Sequence, residues 1–237
     1  MITVKIASIP ERISQLEATI ESFLKKVNRI QVYLNNYSPI PSFLNHRKIC
    51  VFTSQEYGDI GDIGKFYQIE QQNGYILTID DDLIYPPDYV DSMIRKIDFY
   101  KREALICVHG NILPKQKLVS YYKDKQGVHF EKELEKDIRV DIPGTGTLGF
   151  HTDNIKISQQ TFLSPNMTDI WLGVYAKQNN IPIISVERSN DWIIQARGEA
   201  FHRSIYQASF QRDSYQTQIV NNIFFYGFIA DHLGMVV

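Results

Sequence analysis

The sequence predicts an α/β protein: a single domain over residues 1–237, with a mainly parallel central sheet and helices on both faces. Three observations predict it. Strand-like apolar runs alternate with helix-period patterns through the first half, as they do where crossover helices join parallel strands. The 237 residues are 43% apolar and 22% charged, enough for one substantial core. Polar and proline residues gather where strands are expected to end, the rim at which such sheets hold ligands.

Residues 3–7 read as the first strand. Ile13, Leu16, Ile20, Phe23, Leu24 and Val27 then recur at spacings of three and four, one apolar face of a helix, with Pro10 in its first turn or the loop before it. Residues 30–34 form a second strand ending in Asn35-Asn36. Pro39 and Pro41 mark a loop before a third strand at 48–53. Residues 59–64 make a glycine-punctuated turn, and a helix is expected from about 65 to 72. The strand 75–79 follows. Pro87 opens a helix whose buried face is Val90, Met93, Ile94 and Ile97, and 104–108 is another strand.

The second half breaks this rhythm. Runs at 118–122 and 128–130 flank Asp124-Lys125-Gln126-Gly127 and predict a hairpin. Residues 143–150 are a small-residue loop entering a strand. Residues 167–177 read as a helix, 183–186 as a strand, and a long helical pattern covers much of 206–229. Nothing linker-like separates the halves.

The net charge of -2 excludes a general nucleic-acid binder, which needs a basic excess. Cys50 and Cys107 lie inside apolar runs and read as core residues of a reducing compartment. The first residues read as a strand rather than a signal peptide, and no run approaches the ~20 residues a membrane span needs, so a cytoplasmic protein is expected. The apolar run 223–230 reads as the core face of a last helix, with peripheral docking to the inner face of a membrane as the other reading.

Chemistry concentrates at Asp80-Asp81-Asp82, directly after the apolar run Tyr75-Ile76-Leu77-Thr78-Ile79. Three adjacent carboxylates repel one another and resist leaving water. A divalent cation carrying a diphosphate offsets that cost, and oxygen ligands suit Mg²⁺ or Mn²⁺; a solvated acidic turn is the bland alternative. If the strand stays extended, Asp80 and Asp82 share one side and Asp81 opposes them.

Leu77-Thr78-Ile79-Asp80-Asp81-Asp82 with Tyr85-Pro86 resembles the acidic (DxD-type) signature of GT-A-fold glycosyltransferases, which move sugars from nucleotide diphosphates. Val32-Tyr33-Leu34-Asn35-Asn36, Gly64-Lys65-Phe66 and Thr168-Asp169-Ile170-Trp171 follow the order found in exostosin-like and bacterial polysaccharide (family 2-like) transferases, spanning roughly residues 2 to 190. The resemblance implies a Rossmann-like domain with a nucleotide-sugar-binding half at about 1–110 and an acceptor-binding half with a C-terminal helix at about 111–237. It also implies a metal-dependent hexosyl- or N-acetylhexosaminyltransferase. The donor so implied is a UDP-sugar and the implied acceptor a carbohydrate or glycolipid, as in bacterial surface polysaccharide synthesis.

Residue by residue, the resemblance makes Asp82 the metal ligand and sets Asp80 near the donor ribose and Asp81 near the donor sugar. Pro10 and Arg12 match positions lining the nucleobase pocket. Asn35 either bonds the base or simply turns the chain. Lys65, after the turn that begins at Asp59, contacts the nucleotide or its phosphates, or is a solvated helix-start lysine. Phosphate-loop spacing is absent. Asp169 is the candidate catalytic base, taking a proton from an acceptor hydroxyl, and otherwise a helix-start aspartate complementing the dipole. His202 is the candidate second metal ligand, with His151 its rival. Arg203 and Arg212 would neutralise the leaving diphosphate, within a lid at about 198–215. A haloacid-dehalogenase-like phosphatase and a non-catalytic nucleotide- or carbohydrate-binding protein are the alternatives.

Overall fold

The computed structural model describes residues 1–196 and 213–225. The first half builds β1 (Ile2–Ser8), α1 (Ile13–Leu24), β2 (Arg29–Leu34), β3 (Ile49–Thr53), a short α2 (Ser54–Tyr57) and β4 (Tyr75–Ile79). After these come β5 (Leu83–Ile84), α3 (Tyr89–Phe99), β6 (Leu105–Cys107) and β7 (Gly110–Ile112). The second half adds α4 (Tyr121–Asp124), β8 (Gln126–Val128), β9 (Ile138–Val140), β10 (Ile142–Pro143) and β11 (Thr147–His151). Then follow α5 (Thr168–Gln178), β12 (Ile183–Ser185), β13 (Ile194–Gln195) and α6 (Asp213–Phe224).

Eight strands form the central sheet, in the order β3-β2-β1-β4-β11-β6-β12-β9. The first four run parallel, and β6 and β12 share their direction, whereas β11 and β9 run against it. The sheet is therefore mainly parallel. Alternation along β4 sends Leu77 and Ile79 into one core, with α1 and α3, and Ile76 into a second, with α5 and α6. Both faces are covered, as an α/β sheet requires. Cys50 and Cys107 are free thiols, the latter buried. Among the described residues no helix is long and apolar enough to cross a membrane.

Three local expectations are corrected. Residues 65–72 do not form a helix; they lie in two 3-10 turns, Gly61–Phe66 and Ile69–Gln71. Gln68 adopts a left-handed φ of 52° between them, and Gly64 presses against the Tyr33 ring where a Cβ would come within 2.7 Å of Cγ. The hairpin at 118–130 is also absent. Asp124 Oδ2 accepts the N–H groups of Val119 and Ser120 at 2.7 and 2.9 Å, winding the segment into α4, and β8 pairs instead with β7. Val27 is buried beyond the end of α1 rather than on it. Of the long C-terminal helical pattern, α6 falls within the described residues; 206–212 and 226–229 lie outside them.

Candidate functional site

β4 ends at Ile79, and Asp81 and Asp82 already lie in a turn, so strand alternation does not extend through the triplet. Each aspartate meets its own surroundings. Asp80, about one-third exposed at 34%, pairs with Lys65, a lysine delivered by the 3-10 turn and itself nearly buried. Its backbone N–H donates to Tyr85 Oη at 2.8 Å, and that hydroxyl donates on to Gly146 O at 2.6 Å. Gly146 is needed here because a Cβ would lie 1.9 Å from Asp80 Oδ2.

Asp81 is turned inward and only 2% exposed. Its Oδ1 accepts from Arg12 at 2.8 Å, while Oδ2 is buried without a partner. Burial pushes this carboxyl up to about 6, against the pull of Arg12. Asp82 lies 3.0 Å from the same guanidinium, and its proton affinity is raised first by burial and next by the charge of Asp80. Pro10 opens the 3-10 turn Pro10–Arg12 that aims Arg12 at this pair. Two cations thus face three aspartates, leaving one negative charge in excess.

Asn35, at the tip of β2, is 3% exposed. Its Nδ2 donates to Gly61 O at 3.0 Å, which fixes the amide orientation and leaves Oδ1 buried and unpartnered. Asp59 shapes the adjoining turn, accepting from Asn36 Nδ2 at 2.7 Å and from Gly61 N at 3.0 Å.

Asp169 stands in the first turn of α5 on the other side of the rim. Its Oδ1 accepts from Thr145 N at 2.8 Å and from Thr145 Oγ1 at 2.7 Å. Among the described residues no hydrogen bond reaches Oδ2. Burial raises its pKa, opposed by the Thr145 donors and by Lys65 and reinforced by Asp80, so Asp169, Lys65 and Asp80 share one electrostatic field. Behind Thr145, His109 is pushed down to about 3 by burial and by neighbouring cations, and its Nδ1 has no partner.

The fit of a divalent cation follows from these environments. Asp80 and Asp82 supply partly exposed oxygen donors whose mutual repulsion a cation relieves, which suits Mg²⁺ or Mn²⁺. Among the described residues no group of three acidic, histidine or cysteine side chains could hold a metal by itself, so further ligands would come from a bound diphosphate or from residues outside that set. His151 is corrected as a candidate ligand. It pairs with Tyr75 at the far end of β4, four strand residues or roughly 13 Å from the level of Thr147 and Ile79. His202, Arg203, Arg212 and residues 198–212 of the expected lid lie outside the described residues.

Sequence reasoning missed Asp62, Thr145 and Thr168. Thr145 had one local signal, the flanking glycines of Gly144-Thr145-Gly146, and Thr168 stood in the motif Thr168-Asp169-Ile170-Trp171 without a role of its own; Asp62 had none, because its partners are remote in the chain.

No family model matches the sequence, and no curated protein does. Among solved structures, CMP:2-keto-3-deoxy-manno-octonic acid synthetase in complex with CTP aligns with a TM-score of 0.54 and 8% identity, over 92% of this chain and 98% of its own. The two share a Rossmann-like α/β fold. At that identity the likeness carries the architecture and not the reaction.

Proposed function

We propose that this chain is a glycosyltransferase that takes a sugar from a nucleotide diphosphate, a UDP-sugar, and passes it to a carbohydrate or glycolipid hydroxyl in surface polysaccharide synthesis. The observation that carries the reading is Asp169. It is a carboxylate with raised proton affinity, held by one oxygen across the rim from an aspartate triplet at the carboxyl end of a central strand. Rim position is where ligands of such sheets bind. The unsatisfied Oδ1 of Asn35 supports it too, since a buried acceptor beside that rim suits a nucleobase N–H.

In this scheme Asn35 receives the base, and Lys65 keeps Asp80 in place beside the ribose. Arg12 holds Asp81 and Asp82 as a fixed pair. Asp82 and Asp80 would hold a divalent cation, which when bound supplies charge neutralisation for the leaving diphosphate. Asp169 takes the acceptor proton on Oδ2 while Thr145 grips Oδ1. Incubation with a panel of UDP-, GDP- and CMP-sugars, with Mn²⁺ or Mg²⁺, tests this by release of the free nucleotide. Absence of both transfer and slow donor hydrolysis across the panel would sink it.

A second reading, nucleotidyl transfer, takes its chemistry from the CTP-bound synthetase, whose likeness to this chain extends to the fold alone. It predicts pyrophosphate release from CTP plus an acidic sugar, and no consumption of nucleotide sugars. The two product assays separate the readings.

A further inference from the structure

Residues 59–66 touch three parts of the site that are distant in sequence. At one end, Asn35 Nδ2 reaches Gly61 O at 3.0 Å and Asn36 Nδ2 reaches Asp59 at 2.7 Å. At the other end, Lys65 closes on Asp80. Between them Gly61 is left-handed, with φ of 55°, and a Cβ there would come within 2.8 Å of Asn166 Oδ1. Asp62 spans from this turn to the start of α5. Its Oδ1 accepts the N–H of Asn166 at 2.5 Å, and its Oδ2 accepts the N–H and hydroxyl of Thr168 at 3.2 and 2.6 Å. Met167, at the cap position of α5, makes no side-chain cap, so Asp62 caps the helix from outside. The Thr168 hydroxyl stands 3.0 Å from that of Thr145, which donates to Asp169.

We infer that residues 59–66 form a coupling strap, with Asp62 a positioning residue that transmits nucleotide contact at Asn35 to the pose of Asp169. The inference rests on the reading of Asn35 as a nucleobase contact and Asp169 as the base. Its physical content is a run of links: the hydrogen bond from Asn35 to Gly61, the peptide bond from Gly61 to Asp62, the hydrogen bonds of Asp62 to Asn166 and Thr168, and the helix backbone from Thr168 to Asp169, whose Oδ1 Thr145 holds. Asp62 uses both carboxylate oxygens as acceptors. Asparagine has one, so Asp62→Asn must turn an amide N–H₂ toward another donor and lose one anchor.

Hydrogen exchange with UDP as the probe, joined to steady-state kinetics, tests the strap. In the wild type, UDP should slow exchange of amides at 166–172 by about fivefold or more. In Asp62→Asn, UDP should bind within about threefold of wild type, that protection should vanish, and kcat should fall about tenfold with little change in donor KM. Thr168→Val, nearly isosteric, should reproduce the loss and Thr168→Ser should restore activity, which keeps the test sharp even if Asp62→Asn folds poorly. UDP binding without protection at 166–172, or equal protection in Asp62→Asn, overturns the coupling while leaving the nucleotide reading intact. Failure of the wild type to bind UDP overturns that reading and the coupling with it.

Discussion

The two sides of the rim hold their carboxylates by different means. On the strand-end side, charges are met by charges: Lys65 on Asp80, and Arg12 on Asp81 and Asp82. Across from them, Asp169 is gripped by a hydroxyl and an amide of Thr145. Both kinds of partner favour the ionised carboxylate, and on both sides burial outweighs them, so Asp81, Asp82 and Asp169 all have raised proton affinity. The ion pairs also tie the strand end to the segments that carry Arg12 and Lys65. The Thr145 donors both act on one oxygen of Asp169, and no hydrogen bond among the described residues reaches the other.

The comparison breaks most visibly at Asp169. Asp169→Asn should reduce sugar transfer by about 10³-fold with the melting temperature within a few degrees of wild type, as followed by nucleotide release and calorimetry. Thr145→Val removes a hydrogen bond that favours the ionised form. With Asp169 as the proposed base, activity should be lost as pH falls through its pKa, so the acid limb of the kcat/KM profile should move to higher pH in this variant.

On the opposite side, Arg12→Met should leave Asp81 buried and unpaired and cost about 3–5 kcal/mol in urea unfolding. Asp81 itself sets a pH slope. Its carboxyl titrates at about 6 when folded and near 3.9 when unfolded, so the folded protein holds the extra proton in between. That contribution is complete below about pH 4 and is lost as pH rises through 6, a difference of roughly 3 kcal/mol. Asp81→Asn should flatten this slope, and urea midpoints measured across that range would decide it. The smallest effect belongs to Asn35→Ala, which should weaken UDP by about fivefold in a calorimetric titration and, by breaking the bond to Gly61 O, lower stability by about 1 kcal/mol.

Much of the fold was legible because it is written in local patterns. Apolar runs such as residues 2–8 and 75–79 lie between turn residues and announce their strands, and a triplet of aspartates after such a run announces the rim. The position of Asn35 at the tip of β2 was legible for the same reason. Local pattern failed where a remote contact decides. The pairing of Arg12 with Asp81 bridges 69 residues and that of Asp62 with Thr168 bridges 106, and neither leaves a mark on neighbouring positions. It failed also at 65–72, where the left-handed Gln68 and the contact of Gly64 with Tyr33 interrupt what composition alone reads as a helix. At 118–130, one side chain, Asp124, outweighed the strand propensity around it.

The reversed strand β11 has a consequence for how such a protein can diversify. Because it runs against β4 and β6, its first residue, not its last, lies beside the triplet, opposite Ile79. The incoming segment 143–146 is thereby threaded between two outgoing ones, and three successive strands open their connections on the same edge. Thr145 of this segment holds Asp169, and Gly146 abuts Asp80 and accepts from Tyr85, so a change in its length would disturb both sets of carboxylates at once. The segment entering β11 is therefore the part of the rim least free to change, a spacer that keeps the two sides of the site in fixed relation.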